Sequence, residues 1–421
     1  MKSDLRRLME VAGLDAIAVL GNAEQNPPMY YLTGGGHVSN GALFQKPGKE
    51  PVLYCNAMER EEAAQSGLNV IPLQTGAVEA LIKDPRPILE EQGLVSGRLG
   101  IYGMVDAGSL IALIGSIRKA FPQIEVVGES TGDSIFLRAM ETKDEAEVKR
   151  IRRMGRVTTE VVGLVAKFLI GCEVREDETL LKADGTPLTI ADVKHKISRW
   201  LAERGAVEAE GTIFAIGKDA GVPHSVGTPA DELRLGKTIV FDIFPAEAGG
   251  GYFYDFTRTW SLGYATPEAQ RLYDEVSAVY DKVIDNLDLN VSFKEYQKLV
   301  CDEFSRNGHK TPMHNQGVLR DGYVHSLGHG LGLNIHERPR SGHLESEDNI
   351  LKAGVVITIE PGLYYPEKGL GVRIEDSYWV RPDGRLEKLA DYPYDFVLPM
   401  KKWKKARRPR SSNRRPLKKK K

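Results

Sequence analysis

Between His325 and Pro339 the chain reads HSLGHGLGLNIHERP, with three histidines (His325, His329 and His336) and Gly328, Gly330 and Gly332 threaded among them. Such a stretch can ligate a metal, cradle a phosphate on glycine backbone, or form a buried strand that carries imidazoles. Four acids elsewhere in the chain bear on the choice. Asp242 closes the apolar run TIVFD, and Asp255 follows in YFYDFTRT across the glycine-rich connection AEAGGG. Glu360 ends the apolar run VVITIE before Pro361 and Gly362, and Glu375 lies inside GVRIEDSYWV. A carboxylate set in an apolar strand must be paired or coordinated. A hairpin brings facing side chains within about 5 Å, and two unpaired carboxylates at that distance repel, so a bound cation is the natural compensation. Taken singly each acid has a plainer use, the aspartates as partners of Arg258 and the glutamates as partners of Arg373 or Lys352.

In this order, VFDIFP, YFYDFTRT, HSLGHGLGLNIHERP, ITIEPGLY and GVRIED resemble the pita-bread metallopeptidases, the family of methionine aminopeptidase, aminopeptidase P and prolidase. LRAMETKDEAEVKRIRR is similar to the segment that opens the catalytic domain in the creatinase and prolidase branch. The resemblance implies a dinuclear site in which Asp255 and Glu375 bridge two metals, Asp242 chelates one, and His329 with Glu360 completes the other. It also makes Glu360 the proton shuttle and His336 a contact to the substrate carbonyl. His325 and His224, the latter in DAGVPHSVG, become further active-site histidines, and Arg373 the residue that holds the bridging carboxylate. Four carboxylates and one imidazole offer mostly hard oxygen donors, which suit Mn²⁺ or Co²⁺, with Fe²⁺ or Zn²⁺ as further options. The sequence departs from the pattern where DIFP replaces the common Asp-x-Gly and where 13 residues separate Asp242 from Asp255; the enlarged turn AEAGGG accounts for that spacing.

The elements that must position these residues fall into two groups. Up to residue 135, strand-like pieces (15–21, 42–46, 51–56, 69–73, 98–103 and 124–129) alternate with helical ones, an α/β pattern that matches the creatinase/prolidase-like N-terminal domain the resemblance implies. A long helix then opens at TKDE, where Thr142 and Glu145 fit a capping box. From 136 to 400 the pattern is α+β, the pita-bread catalytic domain by resemblance. Its helices read over 189–205, 266–287 and 292–308, and its strands over 211–217, 237–244, 252–260, 355–362 and 371–380.

Composition sets further bounds. With 421 residues, 41% hydrophobic and 27% charged, the chain reads as a globular protein of two domains. No run of about eighteen apolar residues exists and the N-terminus has no apolar leader core, so the expectation is a cytoplasmic protein without membrane contact. Cys55, Cys172 and Cys301 read as buried thiols. The net charge of −1 conceals an asymmetry: 13 of the 57 Lys and Arg residues fall in the last 21, leaving 44 against 58 acids, a body of net charge −14. The 401–421 segment is expected to be a solvated, disordered tail rather than a nucleic-acid contact.

The functional expectation is a metal-dependent exopeptidase that cleaves the Xaa-Pro bond of peptides or dipeptides, working as a homodimer. Arg338 and Arg340 are candidates, by nearness, to clamp a dipeptide's free carboxylate. The alternatives are a metal-free, creatinase-like carbon–nitrogen hydrolase, and a non-catalytic pita-bread binding module that uses the basic tail. Both conflict with the complete ligand set.

Overall fold

The computed structural model describes residues 1–130, 132–346 and 348–403. Its N-terminal sheet has six strands in the order Asn69–Leu73, Val52–Asn56, Gly41–Gln45, Ala16–Gly21, Gly97–Met104, Ile124–Val127. The Ala16–Gly21 strand is buried along its whole length, because both sheet faces are covered, and an all-apolar AIAVL run is what such a position takes. Its neighbours are antiparallel Gly41–Gln45 and parallel Gly97–Met104, so the sheet is mixed. Apolar residues on one side of it, including Leu5, Met9 and Tyr31, share a single cluster with Val148, Ile151 and Met154 of the next domain's first helix.

That helix spans Glu145–Gly171, and its N-cap is Asp144 with Glu147 closing the capping box. The box therefore lies two residues beyond the Thr142/Glu145 pair expected from sequence. Thr142 is unavailable because the chain is still extended there: it bridges to Val355, and the Lys143 amide donates to the Gly354 carbonyl at 2.8 Å. The remaining long helices, Ile190–Ala202, Pro267–Asn286 and Phe293–Arg306, lie close to their expected positions.

Two sheets position the acids. One has the order Thr212–Ile216, Thr238–Ile243, Phe256–Leu262, Val397–Leu398, and the other Glu337–Arg340, His329–Gly330, Val356–Ile359, Asp376–Val380, Leu386–Lys388. The segment 371–380, expected as one strand, is broken at Ile374 and Glu375. Leu370–Arg373 pairs with Gly362–Tyr365, while Asp376–Val380 pairs with Val356–Ile359. Likewise YFYDFTRTW becomes a continuous strand only from Phe256; before it Phe253 makes an isolated antiparallel bridge to Ala246, and its amide donates to the Gly332 carbonyl.

The AEAGGG turn reaches the N-terminal domain. A Cβ on Gly250 would lie 2.3 Å from the Gln25 backbone nitrogen, so only glycine permits this approach. Beside it the Arg150 guanidinium pairs with Glu247 and lies 5.3 Å from the Tyr30 ring centre and 4.7 Å from that of Tyr252.

The three cysteines are buried and form no disulfide. No helix among the described residues is long and apolar enough to cross a membrane. Of the basic 401–421 segment only 401–403 are described, with Trp403 stacked on Tyr264; residues 404–421, on which the tail expectation falls, lie outside the described residues.

Candidate metal centre

The hairpin registers Asp242 opposite Thr257. Asp255 precedes Thr257 by two residues and so lies on the same face, diagonal to Asp242 rather than directly facing it. Thr257 also bridges to Glu375 on its other side, and its Oγ1 donates to Glu375 Oε2 at 2.8 Å. The pairing of Ile359 with Asp376 brings the next residues outward, Glu360 and Glu375, to one rung at the sheet's end. His329 reaches the same point from a two-residue strand whose Gly330 pairs with Ile357.

Ligand atoms of Asp255, His329 and Glu375 lie within 4.8 Å of one another, all three residues buried. His329 Nε2 stands 3.6 Å from Asp255 Oδ2 and 3.4 Å from Glu360 Oε1. Its Nδ1 donates to the Gly330 carbonyl at 3.0 Å, which leaves the Nε2 lone pair directed at the carboxylates. Asp242 stands outside this tight triad but lines the same cavity, of about 750 Å³, together with Glu360. Asp242 Oδ1 and Glu375 Oε1 are buried with no hydrogen-bond partner.

The electrostatics state the same problem. Burial, then the charges of Asp242 and Glu360, push the Asp255 carboxyl well above the usual range; Glu375 is raised by burial and then by Asp255. Burial pushes Glu360 up to about 8. Burial, followed by the neighbouring His336, lowers His329 to about 3, so its imidazole is neutral. Raised carboxyls, orphaned carboxylate oxygens and a neutral imidazole lone pair converging on one point fit a cation, which would reverse the carboxyl shifts.

Arg373, expected to hold Glu375, contacts it only through Thr257. Its Nη2 donates to Asp242 Oδ2 and its Nε to Thr257 Oγ1 at 3.2 Å, while Nη1 donates to Tyr364 Oη at 2.7 Å. Tyr364 Oη lies 2.9 Å from His325 Nε2, and His325 Nδ1 donates to the Ser326 carbonyl at 2.7 Å. His325 thus lines the cavity with both ring nitrogens already engaged, and burial lowers it to about 3. His336 stacks edge-on to His329 with ring centres 4.3 Å apart; burial and the nearby Arg340 keep it below the usual histidine range. His224 lines the cavity at an exposed position.

Arg258, weighed as a partner for the aspartates, goes instead to Asp376 Oδ1 and the Glu375 carbonyl, both at 2.9 Å. Lys352 pairs with Glu141 rather than with a site glutamate. Of the two clamp candidates, Arg338 turns away to Glu141 and Asp348, whereas Arg340 lines the cavity with a buried, unpartnered Nε. His343, assigned no role from the sequence, lines the cavity too. Tyr364 and Thr257 went unassigned in the sequence, where only their place beside EPG and Asp255 marks them.

Residues 149–382 match the metallopeptidase family M24, and residues 2–130 the creatinase/prolidase N-terminal domain. The chain belongs to metallopeptidase family M24. This M24 chain is 32% identical over 254 residues to an uncharacterised peptidase of Methanocaldococcus jannaschii, covering 59% of this chain and 63% of that one. It is 26% identical over 382 residues to an Xaa-Pro dipeptidase of Pyrococcus horikoshii, covering 89% and 93%. Among solved structures, the Xaa-Pro dipeptidase from Bacillus anthracis superposes with a TM-score of 0.74 at 20% identity, over 94% of this chain and 98% of that one. That likeness establishes the shared fold: a creatinase/prolidase N-terminal domain followed by the M24 pita-bread domain.

Proposed function

We propose that this M24 metallopeptidase hydrolyses the bond between an N-terminal residue and a following proline, and that dipeptides are its preferred substrates. One observation carries the reading: buried Asp255, His329 and Glu375 converge within 4.8 Å, with Asp242 and Glu360 lining the same cavity. These five residues would hold two divalent ions, Mn²⁺ or Co²⁺ by the hardness of the oxygen donors. When bound, such ions supply Lewis acidity to the scissile carbonyl and make water nucleophilic near neutral pH.

The chain's own groups do the rest. Glu360, whose carboxylate lines the cavity 3.4 Å from His329 Nε2, carries a proton from the attacking water to the leaving amine. His336, beside His329 and held neutral, presents an N–H to the substrate carbonyl oxygen as charge develops there. His325, locked between Tyr364 and the Ser326 carbonyl, shapes the substrate side of the cavity, and His224 stands at its mouth. Arg373 restrains Asp242. The preference for dipeptides rests on Arg340, which lines the cavity and whose guanidinium offers the charge that a free C-terminal carboxylate needs. The pairing with an N-terminal domain and an Xaa-Pro dipeptidase match over 89% of the chain support the same substrate class.

The test strips metal from the full chain, restores Mn²⁺ or Co²⁺, and measures cleavage of Xaa-Pro and Xaa-Pro-Yaa peptides, with Asp255→Ala and Glu375→Ala as controls. Metal-dependent cleavage, fastest on the dipeptide and lost in both variants, is expected. Failure on both peptides refutes the activity, and equal rates on the two refute the dipeptide preference.

A further inference from the structure

The extended segment that joins the two domains lies against the strand that follows His336. Lys143 is 4% exposed and Glu337 is fully buried, and Lys143 Nζ donates to Glu337 Oε2 at 2.7 Å. Two residues earlier in the joining segment, buried Glu141 faces Arg338 at 3.7 Å and takes Lys352 at 3.0 Å. A minus–plus pair on the segment therefore meets a minus–plus pair on the strand in the complementary sense, Lys143 to Glu337 and Glu141 to Arg338. Sliding the segment out of this register would leave buried charges unpaired, so the charges fix where it lies.

Glu337 closes the turn that presents His336. Its Oε1 accepts from the Asn334 amide at 3.0 Å and from Asn334 Nδ2 at 3.3 Å, while Oε2 takes Lys143. A Cβ on Gly332 would fall 2.5 Å from Oε2, so the carboxylate fills the inside of the turn and glycine is required there. The Gly332 carbonyl accepts from the Phe253 amide at 2.9 Å, two residues before Asp255. The turn thus has two fixed ends, and its one cationic support among these bonds comes from outside the metal strands.

We infer that Lys143 and Glu337 are positioning residues for His336: the interdomain segment reaches through a buried ion pair to set where that imidazole stands over the metal centre. The kinetic side of this inference rests on the reading of His336 as a substrate-side donor, but its structural side does not. A support of this kind acts on the geometry of reaction more than on affinity, and a displacement of about 1 Å costs roughly a hundredfold in rate.

The experiment uses the full chain carrying ¹³C-labelled histidine, metal-free for NMR, with the His336 signal identified by its disappearance in His336→Asn. In Lys143→Met the His336 imidazole signal is expected to move, while that of His195, on the Ile190–Ala202 helix, stays in place. Glu337→Gln, which keeps the size of the side chain, is expected to move it as well, and Lys143→Arg to restore it. With Mn²⁺, kcat on an Xaa-Pro dipeptide is expected to fall at least about tenfold in Lys143→Met, with KM changed less than about threefold and bound metal unchanged. A His336 signal that keeps its wild-type position in both Lys143→Met and Glu337→Gln, even with a lowered Tm, overturns the inference. A wild-type chain that cleaves no Xaa-Pro peptide refutes the proposed activity instead, and the NMR comparison still decides the positioning role.

Discussion

Replacing Arg373 by methionine separates two ways of balancing the charge on Asp242. Arg373 is 2% exposed and its guanidinium donates to Asp242, Thr257, Tyr364 and the Pro223 carbonyl. Without metal, the substitution leaves Asp242 buried with Oδ1 already unpartnered and Oδ2 newly so. Breaking a buried pair in this way costs about 3–5 kcal/mol. With metal bound, the cation takes over the neutralisation of Asp242 and the loss is smaller by roughly 2 kcal/mol, the guanidinium's hydrogen bonds to the uncharged acceptors Thr257, Tyr364 and Pro223 being lost in both states. The thermodynamic cycle then requires the variant to bind metal more tightly by the difference, roughly 2 kcal/mol or about thirtyfold in Kd. Urea unfolding with and without Mn²⁺ gives the two stability losses, and titration calorimetry gives the affinities independently. Equal losses in the two states, together with a Kd within twofold of wild type, would show that Arg373 and the cation do not share the charge of Asp242, and the reasoning would fail.

Three other outcomes follow from the same contacts. Glu360 is raised from 4.5 to about 8 by burial first and by Asp242 against the opposing Arg373; folded metal-free protein therefore keeps a proton that the unfolded chain releases between those values, so its stability falls as pH rises from about 5 to 8. Bound metal abolishes that slope and at pH 7 displaces about nine-tenths of a proton from Glu360 alone; calorimetry in buffers of different ionisation enthalpy that finds no proton release contradicts this. Gly330→Ala would put a Cβ 1.9 Å from the Arg338 carbonyl oxygen, so a stability loss of at least about 1–3 kcal/mol is expected, and an unchanged Tm would show that the strands separate freely there. Asp376→Asn weakens the buried pair with Arg258, which also holds the Glu375 carbonyl and which Tyr280 and Tyr394 support through Asp376 Oδ2. A loss of about 3–5 kcal/mol accompanied by reduced metal content is the expected result, measured by unfolding and elemental analysis.

The acids were legible because each breaks an apolar strand pattern, and desolvation makes such a break costly unless something compensates it. Their spacing along the chain could not show that Asp255 sits diagonal to Asp242, since that depends on where the ladder starts, and the pairing is interrupted between the isolated Ala246–Phe253 bridge and the strand from Phe256. GVRIEDSYWV reads as one strand because its alternation is continuous. The change of sheet at Glu375 is set by long-range partners, Gly362–Tyr365 on one side and Val356–Ile359 on the other. The capping box was misplaced by two residues for a similar reason, as Thr142 and Lys143 are held extended by Val355 and Gly354. Arg373 was found but given the nearer carboxylate, whereas a side chain of that length passes its sequence neighbour and reaches across the sheet. Lys143 and Glu337 are 194 residues apart, and nothing local links one to the other.

The AEAGGG turn gives the hairpin two owners. One of its strands carries Asp242 and the other begins just after Asp255, both at the candidate metal centre, yet its tip lies on the backbone of Gln25 and its Glu247 pairs with the arginine that sits between Tyr30 and Tyr252. Exchange of the first domain for one from a relative therefore alters the mould in which this loop is cast. A chimera would need a matching contour at position 25, or a shortened loop, before its metal strands could settle into register.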